Sequence, residues 1–207
     1  WELAFLPENR DTYPKYIGKT NLEMYKDALE KLDMPVELKK QIFGDPPRVD
    51  ADWVKGTSGK ALFSVWTENF VSLFNNLVHC MFGAATEFMM VCIGPSMYVD
   101  CLNKITGWNV TYEELMTVGE RAWNLQRLFN YRIKGWDIKD DRFAGDLAYE
   151  PGAVGIYRAK LVPWAATLQE YYALRGWSKE GIPTRSKLTQ LKLSNEVKEL
   201  QGVSLPD

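Results

Sequence analysis

Apolar residues recur at helical spacing along most of the chain, and no stretch alternates in the manner of a half-buried strand. Residues 1–19, with Pro7, Pro14 and Gly18 among aromatics, lack a period and read as an extended arm over a partner surface. Thr20-Asn-Leu-Glu23 is a capping box, followed by Leu22, Tyr25, Leu29 and Leu32 on one helical face. A short helix from Pro35 to Phe43 enters through its proline and is stopped by Gly44-Asp-Pro-Pro. From Lys60, the positions Ala61, Val65, Phe70 and Leu73 predict a long helix running into Asn75–Gly83, and a second apolar segment covers Ala84 to Ile93.

Gly94-Pro95 restarts the chain as a helix with Tyr98, Val99 and Leu102 on its apolar side, ending near Gly107-Trp108. Thr111-Tyr-Glu-Glu is a second capping box. It opens the clearest helix, in which Leu115, Val118, Ala122, Leu125 and Phe129 form one stripe that Ile133-Lys134-Gly135 closes. Residues 135–160 are irregular. A helix resumes near Leu161 with Leu168, Tyr171, Tyr172 and Leu174, and Gly176 is its stop. Pro183-Thr184 opens a short helix containing Leu188 and Leu191, and Ser194 caps the last one. The expected fold class is all-α, an irregular multi-helix bundle of about seven to nine helices.

Composition narrows the function classes. A chain of 207 residues with 46% hydrophobic content has enough material for a sizeable core. The formal net charge of -2 gives no basic excess, which argues against nucleic acid and anionic membranes as partners. Polar residues interrupt the apolar stretch Phe70 to Ile93, so no transmembrane helix is expected. Three cysteines, Cys80, Cys92 and Cys101, are an odd number with no CxxC spacing; they suit a reducing, cytoplasmic setting better than a disulfide framework.

The single histidine, His79, directly precedes Cys80. A thiolate at Cys80 is a candidate iron or zinc ligand; its ordinary alternative is a small buried hydrophobe. For Cys92 and Cys101, set among Met, Val, Ile and Leu, core is the better reading, and the default for His79 is donation to a buried carbonyl. Neighbouring side chains diverge on a helix, so the His-Cys pair is not a self-contained catalyst. Arg121, Arg127 and Arg132 are candidates for an anionic ligand, with pairing to Glu120 and nearby acids on the helix surface as the ordinary alternative. The run Asp137-Ile-Lys-Asp-Asp141 reads as a solvated loop, since it lacks the Gly and terminal Glu of a calcium loop.

Several segments taken together go further. Thr106-Gly-Trp-Asn-Val-Thr-Tyr-Glu-Glu-Leu, Gly119-Glu-Arg-Ala-Trp-Asn-Leu-Gln-Arg-Leu-Phe-Asn-Tyr-Arg132, Asp140-Asp141, Tyr171-Tyr-Ala-Leu-Arg-Gly-Trp, Gly181-Ile-Pro-Thr and Lys187-Leu-Thr-Gln-Leu occur in one continuous order. Over about residues 60–195 the chain resembles the C-terminal helical region of the aldehyde:ferredoxin oxidoreductase family, whose members carry tungsten or molybdenum on two pterins beside an iron-sulfur cluster. The resemblance implies residues 1–59 as an N-terminal arm, two short helices and a loop packed on an upstream domain, and residues 60–207 as the helical C-terminal domain.

At Asn75–Cys80 the family carries Asp-x-x-Gly-Leu-Cys. The resemblance implies that Cys80 is the fourth ligand of a [4Fe-4S] cluster. Asn75 stands at the pterin-holding aspartate and keeps an acceptor without its charge; Val78 replaces the glycine and crowds a close backbone approach; His79 replaces the leucine. The other cluster cysteines and the first pterin-binding domain are implied upstream of Trp1, so the 207 residues alone are expected to be inactive. The intact enzyme would oxidise aldehydes to carboxylic acids with ferredoxin as acceptor, with a homo-oligomer possible. A divergent branch, such as a tungsten-dependent aromatic acyl-coenzyme A reductase subunit, and a cofactor-free helical interaction module are the alternatives.

Overall fold

The computed structural model describes residues 32–47, 59–79, 94–141, 164–195 and 204–207. Among them are six helices: α1 (Val36–Phe43), α2 (Lys60–Asn76), α3 (Pro95–Thr106), α4 (Tyr112–Lys134), α5 (Trp164–Arg175) and α6 (Arg185–Gln190). The only pairing of β type among these residues is an isolated antiparallel bridge between Trp177 and Pro183. The fold is all-α. The capped helix expected from Thr20, the apolar segment Ala84–Ile93 and the body of the helix capped by Ser194 lie outside the described residues.

Local chemistry sets the helix ends. Pro35 is the N-cap of α1, and Pro95 occupies the first turn of α3, where a missing N–H costs nothing. At α4, Thr111 Oγ1 accepts from the Glu114 amide at 3.2 Å while Glu114 Oε2 accepts from the Thr111 amide at 2.9 Å. That reciprocal pair satisfies two donors the helix cannot satisfy itself. Thr184 caps α6 by accepting from the Lys187 amide.

The main core lies where α2 crosses α4. Met34, Ile42, Phe43, Trp66, Phe70, Leu73, Phe74, Leu115 and Met116 form one buried cluster, with Tyr98, Val99 and Leu102 of α3 packed against it. The two helices approach closely because Gly119 has no side chain: a Cβ built there would lie 1.9 Å from the Asn69 carbonyl oxygen. A second cluster gathers Leu128, Leu188, Leu191, Leu193 and Leu205, and a third Leu168, Tyr172 and Trp177.

The stripe expected to bury α4 is only partly the one that does: Leu115 is buried, and Ala122 and Leu125 are half-buried, but its other two positions are not. Val118 is 41% exposed and Phe129 58%, whereas Met116, Gly119, Asn124 and Leu128, outside the expected stripe, are buried. The interior face is turned toward a glycine that admits α2 and an asparagine that accepts from Trp177, and an apolar count sees neither. On α5, likewise, Leu174 is 40% exposed while Arg175 is wholly buried. Cys101, expected in the core, is exposed; Met97 and Ile105, one turn to either side of it on α3, are exposed too, as is Trp108 just past the helix end. Met97, Cys101 and Ile105 thus lie uncovered on one side of α3. No described helix is long and apolar enough to cross a membrane.

Candidate functional site

Helix α2 delivers the segment Asn75–His79 to the surface. Its end is a Schellman motif: the His79 amide donates to the Phe74 carbonyl at 3.0 Å and the Val78 amide to that of Asn75 at 3.1 Å. The motif requires a left-handed residue at its turn. That residue is Val78, with φ of 56°. A β-branched residue is strained there, by about 1–2 kcal/mol; glycine is the usual occupant. Val78 is 93% exposed. Asn75 is exposed as well, and its side chain has no hydrogen-bond partner among the described residues. The edge is thus open to a group approaching from outside, with one uncommitted amide on it.

His79 does not donate to a buried carbonyl as expected. Its Nδ1 is hydrogen-bonded to Tyr98 Oη. The Tyr98 ring is seated edge-on against Phe70, 6.0 Å between centroids, and edge-on against His79 at 5.5 Å. Burial holds the phenol neutral by raising its pKa, and the nearby Cys101 adds to the shift, so the bond joins an uncharged hydroxyl to the imidazole. In the sequence Tyr98 is only one aromatic position of α3; nothing there pairs it with His79. Cys80 and Cys92 lie outside the described residues. Among the described residues no three His, Cys, Asp or Glu side chains are grouped to hold a metal ion.

The motifs behind the family resemblance meet in two polar networks that join α2, α4 and α5. In the first, Arg127 of α4 grips Asp141 with two bonds, Nη1–Oδ1 at 2.8 Å and Nη2–Oδ2 at 2.6 Å, and its Nε donates to the Gly181 carbonyl at 2.8 Å. Trp136 Nε1 and Tyr172 Oη also donate to Asp141. Asp141 is therefore an interior anchor and not part of a solvated acidic loop. Arg127 finds its acid there and not in Glu120, which pairs with Lys187 at 2.6 Å. Arg121, by contrast, has a buried Nε with no partner.

In the second network Arg175 is fully buried. Its Nη2 donates to Glu68 Oε2 at 2.5 Å, its Nη1 to Asn69 Oδ1 at 2.6 Å and its Nε to Tyr171 Oη at 3.2 Å. Tyr171 Oη in turn donates to Glu68 Oε2 at 2.6 Å and accepts from Trp123 Nε1 at 2.9 Å. The guanidinium lies over the rings of Trp123 and Tyr171, 5.5 and 5.4 Å from their centroids. Burial pushes the Tyr171 phenol well above its ordinary range, and Tyr172 is raised by burial and then by its bond to Asp141. Between the networks, buried Asn124 accepts from Trp177 Nε1 at 2.7 Å. The Asp-Asp, Tyr-Tyr-x-Leu-Arg-Gly-Trp and Gly-x-Pro-Thr elements are framework. They hold the helices that carry the α2 terminus.

Known proteins support the same grouping. Chain residues 15–193 match the sequence profile of "Aldehyde ferredoxin oxidoreductase, domains 2 & 3". The tungsten-containing aldehyde ferredoxin oxidoreductase of Pyrococcus furiosus is 30% identical over 157 residues, which is 76% of this chain and 25% of that protein. Its counterpart in Pyrococcus abyssi is 30% identical over 75% of this chain and 24% of that protein. The chain thus spans about a quarter of the length of these relatives. Among solved structures, the active site complex BamBC of benzoyl coenzyme A reductase, in complex with 1,5 dienoyl-CoA, superposes with a TM-score of 0.59 at 22% identity. The match covers 90% of this chain and 27% of that one, and it is a likeness of fold. On the profile match, which takes in most of its length, the chain belongs to the aldehyde ferredoxin oxidoreductase family.

Proposed function

We propose that the chain is the C-terminal helical part of a tungsten- or molybdenum-pterin oxidoreductase that oxidises aldehydes to carboxylic acids and passes the electrons through a [4Fe-4S] cluster to ferredoxin. In this reading Cys80 is the fourth cluster ligand and Asn75 faces a pterin. The remaining ligands and the catalytic centre are supplied by upstream domains, and the 207 residues alone are inactive. When bound, the metal–pterin unit supplies the two-electron chemistry. The residues of this chain hold one thiolate, offer a neutral amide at the rim and wall the site with helices.

The observation that carries the reading is the backbone of Val78. The family signature Asp-x-x-Gly-Leu-Cys aligns its glycine with position 78, and that residue alone in the Asn75–His79 segment has a left-handed φ. A register error of one residue would put the glycine at an ordinary helical or extended position. The open edge at Asn75 and Val78, the uncovered side chains Met97, Cys101 and Ile105 of α3 and the exposed Trp108 after it suit a chain that packs against more protein. A cytoplasmic location follows from the same reading.

The second reading is a divergent branch acting on an aromatic acyl-coenzyme A. It is favoured by the loss of the aspartate charge at Asn75 and by the bulk of Val78, which together weaken the usual pterin contact. The test uses the full-length protein purified without oxygen, wild type and Cys80→Ser. The expected result is loss of most cluster iron and labile sulfide in the variant, together with aldehyde-dependent reduction of ferredoxin by the wild type. Equal cluster iron in both proteins would overturn the ligand role of Cys80, and iron in neither would leave a cofactor-free helical module. Iron loss without aldehyde oxidation, but with acyl-coenzyme A reduction, would select the second reading.

A further inference from the structure

We propose that Tyr98 is a positioning residue: through His79 it holds the left-handed Val78 turn that sets the direction in which the chain leaves α2 toward Cys80. The inference deepens the function proposed above and rests on it for the role of Cys80; the turn itself stands on described residues alone.

The turn at Val78 is one that glycine adopts freely and valine does not. Nothing packs on the valine to hold it, since the side chain is 93% exposed. The two Schellman hydrogen bonds are the same ones that a glycine turn would make, so they do not compensate for the substitution. What is additional here is on the next residue. Where the family has leucine, this chain has a histidine whose Nδ1 is bonded to Tyr98. Tyr98 is suited to hold it, because its ring is fixed edge-on by Phe70 on α2 and its backbone sits in the first half of α3. The bond therefore ties the end of α2 to α3 at one residue beyond the strained position. Valine at 78, histidine at 79 and tyrosine at 98 form one unit, in which a side-chain bond replaces what a glycine backbone provides elsewhere in the family.

This view makes two changes interdependent. Tyr98→Phe keeps the ring and removes only the hydroxyl, so the core at Phe70 stays filled. Hydrogen exchange of the His79 and Val78 amides, measured by NMR on the chain, is expected to rise about five- to tenfold in Tyr98→Phe, the loss of one hydrogen bond to the turn. Adding Val78→Gly is expected to return exchange to within about twofold of wild type, since glycine closes the turn unaided. Unchanged exchange in Tyr98→Phe would overturn the proposal, and so would a double variant that exchanges as fast as Tyr98→Phe alone. His79→Leu, the family residue, gives an independent arm: it should loosen the turn while Val78 is present and be harmless in combination with Val78→Gly.

In the full-length protein the same pair carries the positioning step. The low-temperature electron paramagnetic resonance spectrum of the reduced cluster is expected to shift in Tyr98→Phe and to recover in Tyr98→Phe with Val78→Gly. An unshifted spectrum would overturn the link between the turn and the cluster. A Cys80→Ser protein that keeps its iron would instead remove the ligand role of Cys80 and leave the turn result standing, so the two failures are distinguishable.

Discussion

Arg175 and Glu68, 107 residues apart in sequence, meet at 2.5 Å, with the guanidinium wholly shielded from solvent and the carboxylate partly open. Every nitrogen of the guanidinium is used: Glu68, Asn69, Val65 and Tyr171 accept from it. Removing one partner of such a pair leaves the other buried and unmatched. Arg175→Met is expected to lower unfolding free energy by about 3–5 kcal/mol in urea titrations. Arg175→Lys should recover little, because an ammonium cannot reach acceptors on two sides or stack on Trp123 and Tyr171. A double-mutant cycle with Glu68→Gln should show strong coupling.

Two adjacent residues of α4 separate the observed packing from the expected stripe. Leu128→Ala should cost about 2–5 kcal/mol, since Leu128 is fully buried against α6 and the residues that follow it. Phe129→Ala should cost less than about 0.5 kcal/mol in this chain, since the ring is 58% exposed. Equal losses, measured by chemical denaturation, would return the stripe to the interior.

Gly119→Ala tests the α2–α4 crossing. The added methyl would sit 1.9 Å from the backbone oxygen of Asn69, which no rotamer change relieves. The helices would have to separate, at a cost of about 2–3 kcal/mol or more. A thermal melt with little change would show that the helices can part there easily.

Alkaline pH should unfold the chain earlier than exposed tyrosines would allow. Burial, the largest effect on Tyr112, pushes its phenol up to about 12, and burial raises Tyr171 and Tyr172 further. An unfolded tyrosine ionises near pH 10. Above that point the unfolded chain releases protons that the folded chain retains, so stability falls as pH rises. The contribution of Tyr112 is fully present below pH 10 and lost as pH passes through about 12. Melting temperatures across that interval should fall less steeply in Tyr112→Phe than in the wild type.

What is legible in the sequence is mostly local. Both halves of the Thr111 box, the proline entry of α3 and the glycine stop at position 176 depend on residues within one turn of each other, and all appear as expected. The interior of α4 is misread from sequence because Gly119 and Asn124 matter through what they meet, an Asn69 carbonyl and a Trp177 indole, far away along the chain. Asp141 looks like one more acid in a solvated run for the same reason: its guanidinium, indole and phenol donors arrive from three other segments or turns. At the α2 terminus the sequence offers a residue that does not suit a left-handed turn, and only alignment with the family's glycine points to one. The histidine beside it is conspicuous, but its tyrosine partner is not.

The pocket that receives Arg175 is itself composite. Val65, Glu68 and Asn69 come from α2 and Trp123 from α4, so the socket does not exist until those two helices have crossed. The expected order of assembly has α2 and α4 form a template around Gly119, with α5 docking on it afterwards. Substitutions at Arg175 should accelerate unfolding while leaving the refolding rate almost untouched.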